Sequence, residues 1–309
     1  MKKILITGGA GFIGSNLVRH FLANGWQVGV LDNFSTGRRE FVPSGAEIFT
    51  GSITDKNFVE KVFQEFSPNV VSHHAAHVSV RESLTDPIHD AQENILGSLN
   101  IFLAAGACGA EHVLFASTGG VMIDPDGALP AGELDLNFDD PHWCPYAVSK
   151  FSAEKYLQYA ADRFGFSPTI FRYGNVFGPF QTPKSEAGVI SIFCEKIQAG
   201  ETPKIFGDGS QTRDYVFVSD VVRANSLAAE QKISGTFHLG SGRQISVNEL
   251  FSAVAREWNF SKSPEFLPAI PGEFSRSSLK SDRFLKQTGW KPEIDFETGI
   301  KKTVAWWKN

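Results

Sequence analysis

The sequence predicts an α/β protein with a doubly wound parallel sheet and a smaller C-terminal α/β lobe. Three observations carry that reading. Short apolar runs alternate with amphipathic stretches through the first half of the chain. A glycine-rich turn joins the first apolar run to the first amphipathic stretch. After about residue 174, Gly, Pro and polar residues become dense and the elements shorten.

Residues 3–7, 27–32, 46–50, 70–72, 112–117 and 168–172 read as buried strands, each bounded by Gly, Pro or Asp. Between them, 14–24, 56–66, 91–108 and 147–164 carry helical spacing. Strand and helix in alternation imply a parallel sheet with helices on both faces. A boundary is expected near residue 174, between a first domain, 1–174, and a smaller lobe, 175–309, with some segments of the lobe returning to the sheet. In the lobe, 220–229 and 247–258 are the expected longer helices.

The 309 residues are 42% hydrophobic, enough for one large or two modest domains. With 29 Lys+Arg against 34 Asp+Glu, the net charge of −5 provides no basic field, so nucleic acid is not an expected partner. No apolar run reaches the ~18–20 residues that span a bilayer. Cys108, Cys144 and Cys194 form neither a disulfide framework nor a CxxC site. A cytoplasmic protein is the expectation, with no membrane partner.

Thr7-Gly8-Gly9-Ala10-Gly11-Phe12-Ile13-Gly14 follows a strand and opens a helix, the context a phosphate-cradling loop requires. Gly8, Gly11 and Gly14 allow a tight turn, close approach to a pyrophosphate and close helix packing. The helix N-terminus then offers free N–H groups to the phosphates. Asp32 ends the second strand, close to the ~20-residue offset of the acid that binds the adenosine ribose. A carboxylate there repels a 2′-phosphate, so NAD is favoured over NADP; it could equally cap the turn that follows. This is a Rossmann-type arrangement.

Tyr146 and Lys150 lie one turn apart on one helix face. A Tyr with its usual pKa near 10 is a poor base, and a neighbouring ammonium favours its phenolate. The apolar strand before them ends in Ser117 and Thr118, either of which could bond a substrate hydroxyl where strand C-termini face the cofactor crevice. His73, His74 and His77 cluster at another strand end without further ligands, so no metal site is expected.

With these residues in place, the chain resembles the extended short-chain dehydrogenase/reductases, within them the NAD-dependent epimerase/dehydratases of the UDP-glucose (galactose) 4-epimerase group. The resemblance runs in order through the glycine loop, Asp32-Asn33, His73-His74-Ala75-Ala76, Asn94, Ser117-Thr118, Tyr146 with Lys150, and Arg172-Tyr173-Gly174-Asn175. It continues through Glu186-Ala187-Gly188-Val189, Arg213-Asp214-Tyr215, Pro271-Gly272-Glu273 and Gly289-Trp290-Lys291-Pro292. It implies C4 epimerisation of a nucleotide sugar through a transient 4-keto intermediate, with Thr118, Tyr146 and Lys150 catalytic. It implies NAD held by Gly8, Gly11, Phe12, Ile13, Gly14, Asp32 and Asn33, then by Ser35, Thr36, Gly37, Ser52 and Ile53. Further cofactor positions are His74, Ala75, Ala76, His77, Asn94, Ala116, Ser117, Tyr146, Lys150, Tyr173 and Val176. The substrate, a UDP-sugar, would meet Ser79, Thr118, Tyr146, Asn175, Gly188, Val189, Lys204, Ile205, Phe206, Arg213, Tyr215 and Glu273. A homodimer is implied as well.

The chain departs from that pattern in four places. Ile123 stands where a Tyr is usual, Ile270 where a phosphate-binding Arg is usual, His77 for a Gln, and Ser52 for an acid. The alternatives are another NAD-dependent nucleotide-sugar enzyme (a 4,6-dehydratase, uronate epimerase or decarboxylase) or a non-catalytic NAD-binding scaffold. Gly119-Gly120 after Thr118 cannot transfer the extra protons a dehydratase needs.

Overall fold

The computed structural model describes residues 2–124, 127–136, 143–183, 188–269 and 275–309. In chain order, β1 (Lys3–Thr7), α1 (Phe12–Ala23), β2 (Gln27–Asp32), β3 (Glu47–Thr50), α2 (Lys56–Phe66) and β4 (Val70–His73) open the fold. Two short helices, α3 (Val80–Thr85) and α4 (Pro87–Ala91), lead through a π-helical turn at Gln92–Gly97 into α5 (Ser98–Ala107). Then come β5 (His112–Thr118), α6 (Pro145–Phe164), β6 (Ser167–Tyr173), β7 (Asn175–Phe177), α7 (Val189–Gln198), β8 (Lys204–Phe206) and β9 (Thr212–Phe217). The chain ends with α8 (Val218–Gln231), β10 (Gly235–Leu239), β11 (Gln244–Ser246), α9 (Val247–Trp258), β12 (Glu265–Leu267), α10 (Asp282–Thr288) and α11 (Phe296–Trp307).

Seven strands form the main sheet in the order β10-β6-β5-β4-β1-β2-β3. The pairings β1 with β2, β1 with β4, β2 with β3 and β4 with β5 are parallel. The strand order reverses between β1 and β4, so the crevice at their carboxyl ends is the switch point where open α/β sheets bind ligands. The strands read as continuous apolar runs because helices cover both faces. Leu5, Val71, Val113 and Phe115 pack with Phe63, Phe102 and Leu157 in one buried cluster.

Two compact units interleave along the chain. One comprises 1–118, 143–172 and 222–237; the other comprises 119–142, 173–221 and 238–309. The second unit holds a three-stranded sheet, β11-β9-β7, and a two-stranded one, β12-β8. Its β9 is clamped by Asp214, whose buried carboxylate accepts from Ser241 N–H, Ser241 Oγ, Gly242 N–H and Leu279 N–H at 2.6–3.0 Å.

One sequence expectation is corrected. Residues 91–108 are not a single helix: α4 starts earlier, at Pro87, with Asp86 capping His89 N–H, and the ladder widens at Gln92–Gly97 before α5. Elsewhere α1 starts at Phe12 and α6 at Pro145, each two residues before the position periodicity suggested.

Candidate active site

The first unit builds the site from four strand ends and two helix starts. The loop after β1 is closed by Gly8 N–H to Leu31 O (2.9 Å) and Gly11 N–H to Gly8 O (3.0 Å). Gly8 has φ +68°, and a Cβ there would lie 2.7 Å from Ala75 N. A Cβ on Gly14 would lie 2.1 Å from Gly8 O. On Gly11 it would meet only Gly8 O, at 3.2 Å, and otherwise point into open space. Gly11 caps α1 with no side-chain hydrogen bond, and the first turn carries no acid. An open cradle beneath an uncapped helix N-terminus fits the pyrophosphate of a dinucleotide.

Asp32 is stitched to the same loop. Its Oδ2 accepts from Ala10 N–H (2.9 Å) and its Oδ1 from Phe34 N–H (2.8 Å). Burial pushes its carboxyl pKa up, against the pull of those two N–H groups. Each oxygen keeps a second lone pair for a ribose hydroxyl. Arg38 N–H donates to Ala10 O at 3.0 Å, so the 33–38 turn, with Phe34 at φ +57°, folds against the glycine loop. Both readings of Asp32, turn cap and ribose partner, are compatible with this geometry. Ser52 Oγ sits 2.8 Å from Thr54 Oγ1 and accepts Thr54 N–H, while Ile53 is buried.

At the end of β4, Thr7 Oγ1 accepts from His74 N–H (3.2 Å) and Ala75 N–H (3.1 Å). Its own proton therefore goes to His73 Nδ1, 2.6 Å away. His73 Nε2–H then donates to Ser98 Oγ at 2.9 Å. His73 is thus neutral, with the proton on Nε2. Burial first, then the Lys150 charge, pushes its pKa well below the ordinary range, and the same two causes bring His74 to about 3.

His77 is the opposite case. Its Nδ1 lies 3.2 Å from Asp90 Oδ1 and its Nε2 3.0 Å from Glu82 Oε2. One ring can donate to both carboxylates only in its imidazolium form, which this pair of contacts therefore favours. Burial lowers its pKa, but the bonds to Glu82 and Asp90 outweigh burial and leave it raised. Asn94, in the π-helical turn, braces the same loop. Its Oδ1 accepts His77 N–H (2.9 Å), and its Nδ2 donates to His77 O (2.8 Å) and Asp90 Oδ1 (2.9 Å), with Ser149 Oγ 3.3 Å away.

Helix α6 carries Tyr146 in its first turn. Tyr146 N–H is taken by Ser83 Oγ from α3 (3.3 Å), and its carbonyl by Ser149 Oγ (3.0 Å). One turn on, Lys150 is 3% exposed, with Nζ 4.4 Å from the Phe115 ring centroid. One turn further, Glu154 is buried and held by Arg172 through Nε (2.9 Å) and Nη2 (2.6 Å). Ser117 Oγ donates to Glu154 Oε1 at 2.6 Å. That bond separates the two strand-end hydroxyls: Ser117 spends its proton on Glu154, while Thr118 Oγ1 makes no hydrogen bond among the described residues. Periodicity gave no sign of Glu154, Arg172 or Phe115. The available signal was an acid one turn beyond Lys150 and a cation inside an apolar strand.

The second unit carries Asn175 at the start of β7, in register with Tyr215 on β9. Gly188 caps α7, which begins at Val189, and a Cβ on Gly188 would lie 2.4 Å from Gln181 Nε2. In β8, Lys204 is exposed, Ile205 is buried and Phe206 keeps 36% of its surface open. Arg213 is on β9, its Nη1 donating to Thr212 O at 2.8 Å. Ile123 is a core residue, packed with Ala131 and Leu279. Glu186, Ala187, Ile270 and Glu273 lie outside the described residues. Among the described residues, no group of three His, Cys, Asp or Glu could hold a metal, and no helix is long and apolar enough to cross a membrane.

A family model for the NAD dependent epimerase/dehydratase family matches residues 4–240. The UDP-glucose 4-epimerase of Mycolicibacterium smegmatis is 39% identical over 313 residues, covering 99% of both chains. The crystal structure of the Thermotoga maritima UDP-glucose 4-epimerase with UDP-glucose superposes with TM-score 0.93 at 39% identity, covering 99% of this chain and 98% of that one. The Thermus thermophilus UDP-glucose 4-epimerase in complex with NAD gives TM-score 0.92 at 40% identity, covering 99% of each chain.

Proposed function

Since this chain belongs to the NAD-dependent epimerase/dehydratase family, we propose that it interconverts the C4 epimers of a UDP-sugar, UDP-glucose and UDP-galactose or a close relative. The observation that carries this reading is the α6 face on which Tyr146 and the buried Lys150 follow one another, beside a β5 strand ending in an uncommitted Thr118 hydroxyl. Tyr146, as phenolate, takes the proton of the sugar 4-OH. Lys150 supplies the positive charge that favours the phenolate. Thr118 Oγ bonds the same sugar oxygen and fixes its direction. NAD, cradled at Gly8, Gly11 and Gly14 with Asp32 at its ribose, supplies the hydride acceptor and then the donor. The 4-keto sugar stays bound, turns its other face and recovers its proton from Tyr146.

Arg213, with a bidentate-capable guanidinium, is the cation assigned to the diphosphate, and Phe206 the ring assigned to the uracil. The Mycolicibacterium, Thermotoga and Thermus relatives support the UDP-hexose assignment by their names. Gly119-Gly120 weighs against a dehydratase, because neither residue can move a proton.

The working form is a cytoplasmic homodimer in this reading. Leu84 (63% exposed), Ile88 (71%) and Leu96 (55%) leave apolar surface open on α3, α4 and the π-helical turn. Val148, Tyr156 and Tyr159 do the same along one side of α6, which packs on those elements. Light scattering with Ile88→Asp and Tyr159→Asp variants tests it: a monomer in the variants supports the dimer, and a monomeric wild type rejects it.

The activity is tested by incubating the protein with UDP-glucose, UDP-galactose and their N-acetylamino counterparts and resolving products by NMR. Interconversion of one pair at C4, lost by about 10²–10⁴ in Tyr146→Phe, is the expected result. No turnover of any UDP-sugar would leave the scaffold reading in its place.

A further inference from the structure

Phe115 is buried in β5, 1% exposed, and none of the chemistry outlined above uses it. Its ring is held in place from several directions. Phe102 meets it edge-on, centroids 5.5 Å apart at 88°, and His73 stacks on it at 5.6 Å and 24°. Phe102 also meets His73 edge-on at 5.5 Å. His73 is fixed in turn by Thr7 and Ser98. Over this ring stands the Lys150 ammonium, 4.4 Å from the centroid.

An ammonium with so little exposure loses hydration that something must replace, and the negative face of an aromatic ring does so in part. The stacked imidazole must be neutral for this to work, since a charge on His73 would repel Lys150. Its hydrogen bonds to Thr7 and Ser98 hold it in that state. We propose that Phe115 is a positioning residue of the epimerisation: its π face seats the Lys150 ammonium and keeps it charged, which in turn favours the Tyr146 phenolate. The inference rests on Tyr146 being the base.

The sign follows from that chain of contacts. Weakening the π face loosens the seat of the ammonium, lets its charge move away from Tyr146, and raises the pH at which the phenolate forms. His73 and His74 face the same ammonium and are both neutral, so neither contributes a titration of its own in the working range.

The experiment replaces Phe115 in the NAD-loaded enzyme by mono-, di- and trifluorophenylalanine, which drain the ring face stepwise with little change of shape. Cyclohexylalanine, of like volume and without a π face, is the end member. Two quantities are read: the acid limb of kcat/KM against pH, and the phenolate ultraviolet difference spectrum of each variant against its own Tyr146→Phe partner. Both should move upward in pH step by step along the series, by about one unit in total, with KM for the UDP-sugar unchanged. The spectrum needs no turnover, so it also reads members whose activity is low. A flat series in variants that retain NAD and cooperative melting overturns the role of Phe115 and leaves Tyr146 as base untouched. Full activity of Tyr146→Phe with unmodified Phe115 would instead overturn the reading on which the inference rests.

Discussion

Replacing Glu154 by Gln should cost the first unit a large part of its stability, and the structure sets the size. Glu154 and Arg172 are 2% and 5% exposed and joined by two parallel hydrogen bonds, with Ser117 Oγ donating to the same carboxylate. Glutamine keeps one acceptor but turns an NH₂ toward guanidinium N–H donors, leaving a buried cation without its counter-charge. Breaking a buried pair in this way costs about 3–5 kcal/mol, against a typical total of about 5–15 kcal/mol. At about 2–4 °C per kcal/mol, the lower bound is a fall of about 6–12 °C in Tm. Thermal and urea melts at equal NAD loading measure it. Glu154→Leu combined with Arg172→Met should recover most of the loss, because an apolar pair of similar volume removes both desolvation costs at once. Activity should fall with the single variant, since Ser117 precedes Thr118 and Glu154 follows Lys150 on the α6 face. A Glu154→Gln protein within 1 kcal/mol of wild type would refute the pairing as an energetic element.

Gly14→Ala should give a folded protein that purifies without NAD, because the added Cβ meets Gly8 O at 2.1 Å and the loop cannot keep its shape; copurified NAD at wild-type level would contradict this. Arg213→Ala should weaken UDP binding by about 10- to 150-fold in calorimetry, the worth of one charge-assisted bond at a desolvated phosphate, while leaving NAD content unchanged. His77 is stabilised as an imidazolium by Asp90 and Glu82, so its folded pKa stands above the unfolded value near 6.5. Its contribution is therefore complete below about pH 6.5 and lost as pH rises through the folded value. The stability difference between wild type and His77→Gln should shrink on that rise; a difference that grows with pH would be the wrong sign.

Much of this was legible in the sequence because it is local. Strands β1 and β2 and helices α2 and α9 have the bounds that spacing alone predicts. For α2 the cap is visible as Asp55, and for α9 as Ser246 with Glu249 three residues on. The glycine loop and the Tyr146–Lys150 pair could be read for the same reason, since each is a short-range pattern next to a strand or helix end. What escaped depends on distant partners. The π-helical turn arises where Asn94 reaches across to His77, and α11 tolerates Gly299 because a Cβ there would strike the Phe177 ring at 2.5 Å. By local pattern Ser117 and Thr118 read alike, and only the family resemblance distinguished them; in the structure Glu154, from another element, separates them physically. His77 looked like one member of a histidine cluster, but its carboxylate partners come from α3 and α4, helices that periodicity did not reveal.

The most direct test of the account follows a deuterium label placed at C4 of UDP-galactose. If the hydrogen leaves C4 and returns to the same carbon from the opposite face while the 4-keto sugar stays bound, the UDP-glucose formed keeps the deuterium at C4. Proton and deuterium NMR of the product in ordinary water read this without ambiguity. Retention of the label at C4 is the predicted result. UDP-glucose carrying solvent hydrogen at C4, or no UDP-glucose at all, would contradict epimerisation through an internally recycled hydride.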